Sequence, residues 1–279
     1  MSDSTDIAQA VADGTIGGRV WMYATYRCNL VCNYCLTESG PTVTKREMNP
    51  QLMLKLAQQA ADLGFTALGV TGGEPLMLPW MIDTARQMSE ILPMVLLTNG
   101  SYLRGKRLDE LSAAFAGRPI RVQVSLDSAD EVSNDANRGD NNYVSVATSV
   151  PELVSRGVTV RIATTSTGLG DQELAELSAL RRSWGVQDED HIVRPIVARG
   201  RAALEGGAVA ASFADLPAEL CITAEGAYWS AFGPTVRNGR LDTDLLLTRT
   251  VDPLRIPAAA MLRLATGQPR GSDSSLNIR

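Results

Sequence analysis

The sequence predicts an α/β protein, a partial (β/α)6 barrel followed by a small C-terminal α+β appendage. Six short apolar runs alternate with amphipathic stretches over residues 19–202, the pattern of parallel strands joined by crossover helices. Every unusual motif falls at the C-terminal end of one of those runs, where a curled parallel sheet collects its chemistry. At 279 residues the chain can bury a full core, and its length suits one such domain with an addition.

Residues 1–18 hold few apolar anchors and close on Gly14, Gly17 and Gly18, so they are expected to form an N-terminal arm. Val20-Trp21-Met22-Tyr23 reads as a buried first strand, and a cysteine-rich loop leaves its end. Asn49-Pro50 supplies an N-cap and a proline at N1 for a helix whose apolar face is Met53, Leu56, Ala57 and Ala60. Residues 66–70 form a second strand ending in Thr71-Gly72-Gly73-Glu74-Pro75, with a helix over 79–91. The third pair is a strand at 94–97, ending at Thr98-Asn99-Gly100, and a helix at 105–115. Residues 120–126 alternate as a fourth strand ending in Ser125-Leu126-Asp127-Ser128, before a helix at 143–156. A strand at 158–164, a helix at 171–184 and a last strand at 191–197 complete the barrel. Residues 203–279 are expected to form a capping extension: a small-residue stretch at 206–211, a hairpin turning at Glu225-Gly226, a helix at 257–266 and a mobile polar end at 271–275.

The charge balance, 26 basic against 31 acidic residues, gives no electrostatic case for nucleic-acid binding. The polar, acidic start lacks the basic and apolar regions of a signal peptide, and no apolar run approaches a membrane span. Clustered cysteines without a scattered framework suit a reducing compartment, so a cytoplasmic protein is expected, with neither membrane nor nucleic acid as partner.

Three of the four cysteines, Cys28, Cys32 and Cys35, are spaced Cys-x-x-x-Cys-x-x-Cys. Soft thiolates packed this tightly favour an iron–sulfur cluster or zinc. Structural zinc takes four closed ligands, whereas three thiolates on a four-iron, four-sulfur cluster leave one iron for another ligand. A redox dithiol or half a zinc site remains open on spacing alone, although no second cysteine pair follows and the only histidine is His191.

With Tyr34 ahead of the third cysteine, and with Gly72-Gly73-Glu74-Pro75 after the second strand, residues 19–202 resemble the radical S-adenosylmethionine (radical SAM) superfamily. The resemblance implies one [4Fe-4S] cluster held by Cys28, Cys32 and Cys35, and S-adenosyl-L-methionine (SAM) on its free iron. It implies reductive cleavage of SAM to a 5′-deoxyadenosyl radical, which abstracts hydrogen from substrate, and a flavodoxin- or ferredoxin-type reductant. Gly72 and Gly73 would let backbone approach the methionine moiety, Glu74 would accept from its ammonium, and Tyr34 would pack by the adenine. Asn99 ends a strand where the family contacts cofactor, although it equally suits a cap of the next turn.

Ser125-Leu126-Asp127-Ser128 is similar to a motif of the branch making molybdenum cofactor, pyrroloquinoline quinone and matured sulfatases. Arg138-Gly139 matches the His-Asp-x-x-Arg-Gly pattern of that branch, with Asn134 in place of histidine. Ser125 and Arg138 are therefore the implied holders of the SAM carboxylate, to which a planar guanidinium is suited. Arg194 points towards the same mouth and is a candidate for SAM or an anionic substrate, unless it pairs with an acid of the barrel wall.

The extension departs from that branch, because only Cys221 follows the triplet and this chain's cysteines alone cannot hold an auxiliary cluster. Cys221 is either a buried small hydrophobe or a thiol that returns hydrogen to a substrate radical, as in an epimerisation or another redox-neutral rearrangement. Only residues 1–18 precede the first strand, so no peptide-recognition domain is expected and a small-molecule substrate is favoured. A ribosomally made peptide is the second reading, and a non-catalytic iron–sulfur or zinc protein the third. Tyr228, Trp229 and Phe232 read either as the lining of a substrate pocket or, the favoured reading, as the extension's own core, and Asp242 and Asp244 as solvated.

Overall fold

The computed structural model describes residues 2–267 except 167, 205–207, 238 and 239. Gly206 and Gly207 of the small-residue stretch, and the polar end at 271–275, lie outside the described residues.

The six expected strands are β1 (Arg19–Tyr23), β2 (Ala67–Thr71), β3 (Met94–Thr98), β4 (Ile120–Ser125), β5 (Thr159–Ser166) and β6 (His191–Pro195). They pair in sequence order, each parallel to the next, the arrangement that alternating strands and helices impose. The six expected helices are also present, as Pro50–Asp62, Met81–Ser89, Gly105–Phe115, Asn142–Ser155, Asp171–Ser183 and Arg255–Gly267. The first of them starts as its sequence demands: Asn49 Oδ1 accepts from Leu52 N at 2.8 Å, and Met53, Leu56, Ala57 and Ala60 are buried.

Two helices went unrecognised. Ser2–Ala12, within the expected arm, buries Ile7 and Ala10 and packs beside Arg255–Gly267. Glu131–Arg138, in the fourth crossover, is capped by Asp130 and buries only Asn134 and Arg138, so no apolar stripe announces it.

The C-terminal part is joined to the barrel edge to edge. β7 (Cys221–Thr223) pairs parallel to β1, opposing Trp21 with Cys221, and β8 (Gly226–Tyr228) turns back antiparallel through the expected hairpin. Past the small antiparallel pair β9 (Val236–Arg237) and β10 (Arg240–Leu241), β11 (Leu246–Thr248) pairs antiparallel to β8 and ends a nine-stranded sheet. Cover for the otherwise open β1 edge thus comes from the same chain.

Strand periodicity divides the barrel into two environments. One face presents Val20, Met22, Leu68, Val70, Leu96, Val122, Val124, Val160 and Ile162, all buried, and forms the core beneath the helices. The other presents a mixed set towards the barrel interior: Arg19, Thr71, Arg121, Gln123, Ser125, Arg161, Thr165 and Arg194 beside Trp21, Tyr23, Ala67, Val95, Leu97, Ala163 and Ile192. Gly69 belongs to this interior layer, because a Cβ there would lie 2.3 Å from the Trp21 ring.

His191 lies at the start of β6, its Nε2 3.0 Å from Thr164 Oγ1. Burial, then the nearby Arg181 guanidinium, pushes its pKa down to about 4, against the opposing charge of Asp188. Between that value and the ordinary 6.5 the folded protein binds fewer protons at this ring than the unfolded chain. The resulting stability is present above about pH 6.5 and is lost as pH falls towards 4. In urea denaturation across that window, His191→Gln is expected to lose stability less steeply than the parent protein; equal slopes would refute the assignment.

Candidate active site

The cysteine loop runs from the end of β1 to Asn49 without regular structure of its own. Its backbone is held by neighbours: Met48 N donates to Ala24 O (3.0 Å), Cys28 N to Gly40 O (3.2 Å) and Cys35 N to Cys32 O (3.2 Å). All three cysteines are free thiols, Cys28 buried and the other two partly exposed. The Cys28 sulfur accepts from Leu30 N at 3.4 Å and from Asn99 Nδ2 at 3.5 Å, and Cys35 Sγ lies 3.5 Å from Thr37 Oγ1. Burial, then the charge of Glu74, pushes the Cys28 thiol up to about 12.

The Gly72-Gly73-Glu74 turn is pressed onto this loop. Gly73 N donates to Thr25 O (2.7 Å) and Glu74 N to Arg27 O (2.9 Å). A Cβ at Gly72, whose φ is +142°, would meet Thr25 O at 2.4 Å, and one at Gly73 would meet Arg27 O at 2.2 Å. Close backbone approach to the cysteine loop is what requires glycine here, in addition to opening the cavity wall.

Glu74 is fully buried behind that wall. One oxygen accepts from Leu76 N (2.9 Å) and Thr98 Oγ1 (2.9 Å), the other from Asn99 N (2.7 Å). Burial pushes its carboxyl up to about 7, partly offset by those donors. In this structure the Glu74 carboxylate ties the β2 turn to the β3 turn. Asn99 accepts from Ser101 N at 2.9 Å as a turn cap, and its amide reaches the Cys28 sulfur at 3.5 Å.

After β4 a second network forms around Asp127. Its Oδ1 accepts from Thr165 N at 2.9 Å, and its Oδ2 takes the Tyr34 hydroxyl and Arg138 Nη1 at 3.2 Å. Arg138 also donates to Tyr34 Oη and, through Nε, to Asn142 Oδ1 at 3.1 Å. Asn134 Oδ1 accepts from Asp127 N at 3.0 Å, so this side chain holds the turn together. Asn33 N donates to Asn137 O at 3.1 Å, which joins the cysteine loop to the same helix end.

On the opposite side, the turn after β6 clamps the loop. Arg201 donates through N to Cys35 O (3.0 Å), through Nε to Cys32 O (2.8 Å) and through Nη2 to Ser39 O. Gly200, at φ +57°, leaves no room for a Cβ, which would lie 2.3 Å from Leu36 O. Arg199 is anchored in turn by a two-pronged pair with Asp244 (2.7 and 2.8 Å), so Asp244 is a structural partner rather than a solvated acid.

These pieces enclose one cavity of about 220 Å³. Its lining contains Cys28, Cys32, Cys35, Tyr34, Gly72, Gly73, Asn99, Ser125, Arg138 and Arg194, ten of the sequence-derived site residues. Glu74 and Cys221 are not among them. Cys221 is buried on β7 at the level of Trp21, one side-chain layer below Tyr23, which does line the cavity. A direct hydrogen donor to a radical in the cavity is not what this placement offers. Tyr23, Thr37, Thr71 and Thr165 also line the cavity, although none of them is a candidate site residue from the sequence. Their only signal was strand alternation for Tyr23, Thr71 and Thr165. Phe232 also reaches the lining, while Tyr228 and Trp229 are core.

Among the described residues, no three His, Cys, Asp or Glu side chains converge closely enough to hold a single metal ion. Three free thiols around one cavity, with two N–H donors directed at the Cys28 sulfur, fit a larger sulfur-bridged iron cluster instead. A partial β/α barrel with such a mouth defines an enzyme that works through a metal cluster and a cofactor beside it.

The radical SAM superfamily model matches residues 22–182, more than half of the chain, and the chain belongs to that superfamily: it is a radical SAM enzyme. Membership implies a [4Fe-4S] cluster and SAM. The chain is 35% identical over 111 residues to a GTP 3′,8-cyclase of Thermodesulfovibrio yellowstonii, covering 38% of this chain and 33% of that protein. It is 30% identical over 164 residues to a GTP 3′,8-cyclase of Peptoclostridium acidaminophilum, covering 56% and 49%. It thus spans between a third and a half of these curated relatives. The solved structure of anSMEcpe with bound AdoMet superposes with a TM-score of 0.59 at 12% identity, over 93% of this chain and 82% of that one, a likeness of fold. Family membership removes the zinc-protein and non-catalytic readings. No helix among the described residues is long and apolar enough to cross a membrane.

Arg201→Ala is expected to leave secondary structure unchanged while the reconstituted protein holds less iron and loses it faster, with Arg201→Lys intermediate. Iron content and the visible absorbance of the cluster over time measure this, and parent-like retention in Arg201→Ala would refute the clamp. Gly200→Ala, which sets a Cβ against Leu36 O and Cys35 O, is expected to impair loading at least as strongly.

Proposed function

We propose that the chain cleaves SAM reductively and uses the resulting radical to take hydrogen from a small-molecule substrate held in this cavity. The observation that carries the reading is the single cavity lined jointly by the three thiols, the Gly72-Gly73 turn and the inner face of the strands. Cys28, Cys32 and Cys35 would hold the one [4Fe-4S] cluster that this chain's cysteines can supply. When bound, the cluster and SAM supply the electron transfer and the 5′-deoxyadenosyl radical. A flavodoxin- or ferredoxin-type protein is the proposed reductant.

The residues then divide the remaining work. Asn99 and the Leu30 N–H direct donors at the Cys28 sulfur and stabilise its thiolate. Arg138 keeps Nη2 free of protein hydrogen bonds among the described residues, while its other nitrogens are fixed by Tyr34, Asp127 and Asn142. Ser125 lines the same cavity with a hydroxyl that makes no protein hydrogen bond among the described residues. Together they offer a pre-oriented guanidinium edge and a hydroxyl to the SAM carboxylate. Tyr34, locked by Asp127 and Arg138, presents its ring as a fixed wall for the adenine.

Two outcomes test the reading. Anaerobic reconstitution should give about four irons per chain, with 5′-deoxyadenosine released on addition of dithionite and SAM. Alanine at Cys28, Cys32 or Cys35 should abolish both, and release by a triple variant would sink the proposal. Arg138→Gln should weaken SAM binding by about tenfold or more at retained iron content, as read by equilibrium titration; an unchanged affinity would remove Arg138 from the cofactor site.

A further inference from the structure

The barrel interior beneath the cavity carries an excess of positive charge. Arg19 of β1, Arg121 of β4, Arg161 of β5 and Arg194 of β6 share the inner face with two acids, Asp190 and Glu219. Both acids are committed. Asp190 lies 2.9 Å from Arg121 and 3.8 Å from Arg161. Glu219 lies 3.8 Å from Arg19 and accepts from Trp21 Nε1 at 2.6 Å. Burial also raises the pKa of Glu219, which weakens it as a counter-charge.

Arg194 is the member of this group that reaches the cavity. Among the described residues its side chain makes no hydrogen bond and has no carboxylate within ion-pair distance, and its Nε is buried without a partner. The acid that acts on it from the barrel wall is Glu219, which makes no ion pair with it among the described residues and is bonded instead to Trp21 Nε1. Its pKa is pushed down to about 10, by burial first and then by Arg161, so it remains a cation at neutral pH. A half-buried guanidinium whose Nε is shut off from water without a partner is an incomplete site that a ligand oxyanion would complete. Arg138, the other cavity arginine, is already partnered by Asp127 and differs in this respect.

We propose that Arg194 anchors the substrate, which carries an oxyanion, a carboxylate or a phosphate, on the floor of the cavity. The proposal rests on the reading that this cavity is the reaction chamber. The anion would complete the planar fork of Arg194, be attracted by the positive field of Arg161 and Arg19 behind it, and fix one end of the substrate against a rigid strand. Thr165, paired in register with Arg194 on β5 and lining the same cavity, is placed to supply a hydroxyl to the same group. SAM has a carboxylate of its own, so the test separates the two sources.

The reconstituted holoenzyme, saturated with SAM, is titrated calorimetrically with inorganic phosphate and, separately, with acetate. Saturable binding of at least one of them is expected, weakened about tenfold or more in Arg194→Gln, with SAM affinity shifted by less than about threefold. The anion that binds identifies the class. Arg194→Lys, which keeps the charge without the fork, should retain part of the binding and serves if the glutamine variant loads iron poorly. The proposal is overturned if neither anion binds the parent enzyme, if Arg194→Gln binds them equally well, or if it loses SAM affinity about tenfold while anion binding persists. Absence of 5′-deoxyadenosine release from the parent enzyme would instead defeat the underlying reading, because anion binding is measured independently of turnover.

Discussion

The placement of the three thiols depends on the satisfaction of backbone groups in a loop that makes no regular structure. Carbonyls of Thr25, Arg27, Cys32, Cys35, Leu36 and Ser39 are met by donors from elsewhere in the chain, namely Gly73, Glu74, Arg201 and Thr235. Left unpaired, such buried groups would each cost of the order of 1–3 kcal/mol. The loop therefore has one well-supported conformation, and the glycines at 72, 73 and 200 are the places where neighbouring backbone comes close enough to supply it.

That requirement explains why the C-terminal part belongs to the site although it contributes little lining. The turn at Arg199–Arg201 grips the loop, Asp244 grips Arg199, and Arg46 of the loop pairs with Glu225 of the hairpin at 2.8 Å. β7 carries the same support to the edge of β1, so that the strand leading into the cysteines is flanked on both sides. Cys221 gains its burial from this edge pairing. Its side chain is packed in the core in the layer under Tyr23.

The two faces of the sheet set a second constraint. Apolar residues on the outer face supply the burial that stabilises the barrel, which leaves the inner face free to carry arginines, Trp21 and Glu219 at some cost in desolvation. Most of that charge is compensated internally. Arg194 is the exception, and it stands where the interior opens to the cavity.

Much of this was legible in the chain. Alternating apolar runs gave the order of strands and helices because each element needs its own periodicity. The Cys-x-x-x-Cys-x-x-Cys spacing and Gly-Gly-Glu gave the family because the chemistry of a three-thiolate cluster demands them locally. Ten of the residues named from the sequence line one cavity, because the segments that follow the strands converge at that end of the sheet. What distance in sequence conceals was decided by the tertiary structure. The parallel addition of β7 to β1, the grip of Arg201 on Cys32 and Cys35, the turning of Glu74 away from the cavity and the unpaired state of Arg194 are all outcomes of which groups meet. The sequence determined which elements form and which ligands the cysteine loop offers; only the fold decided which carboxylate and which guanidinium were already paired, because pairing is a property of neighbours in space and not of residue type.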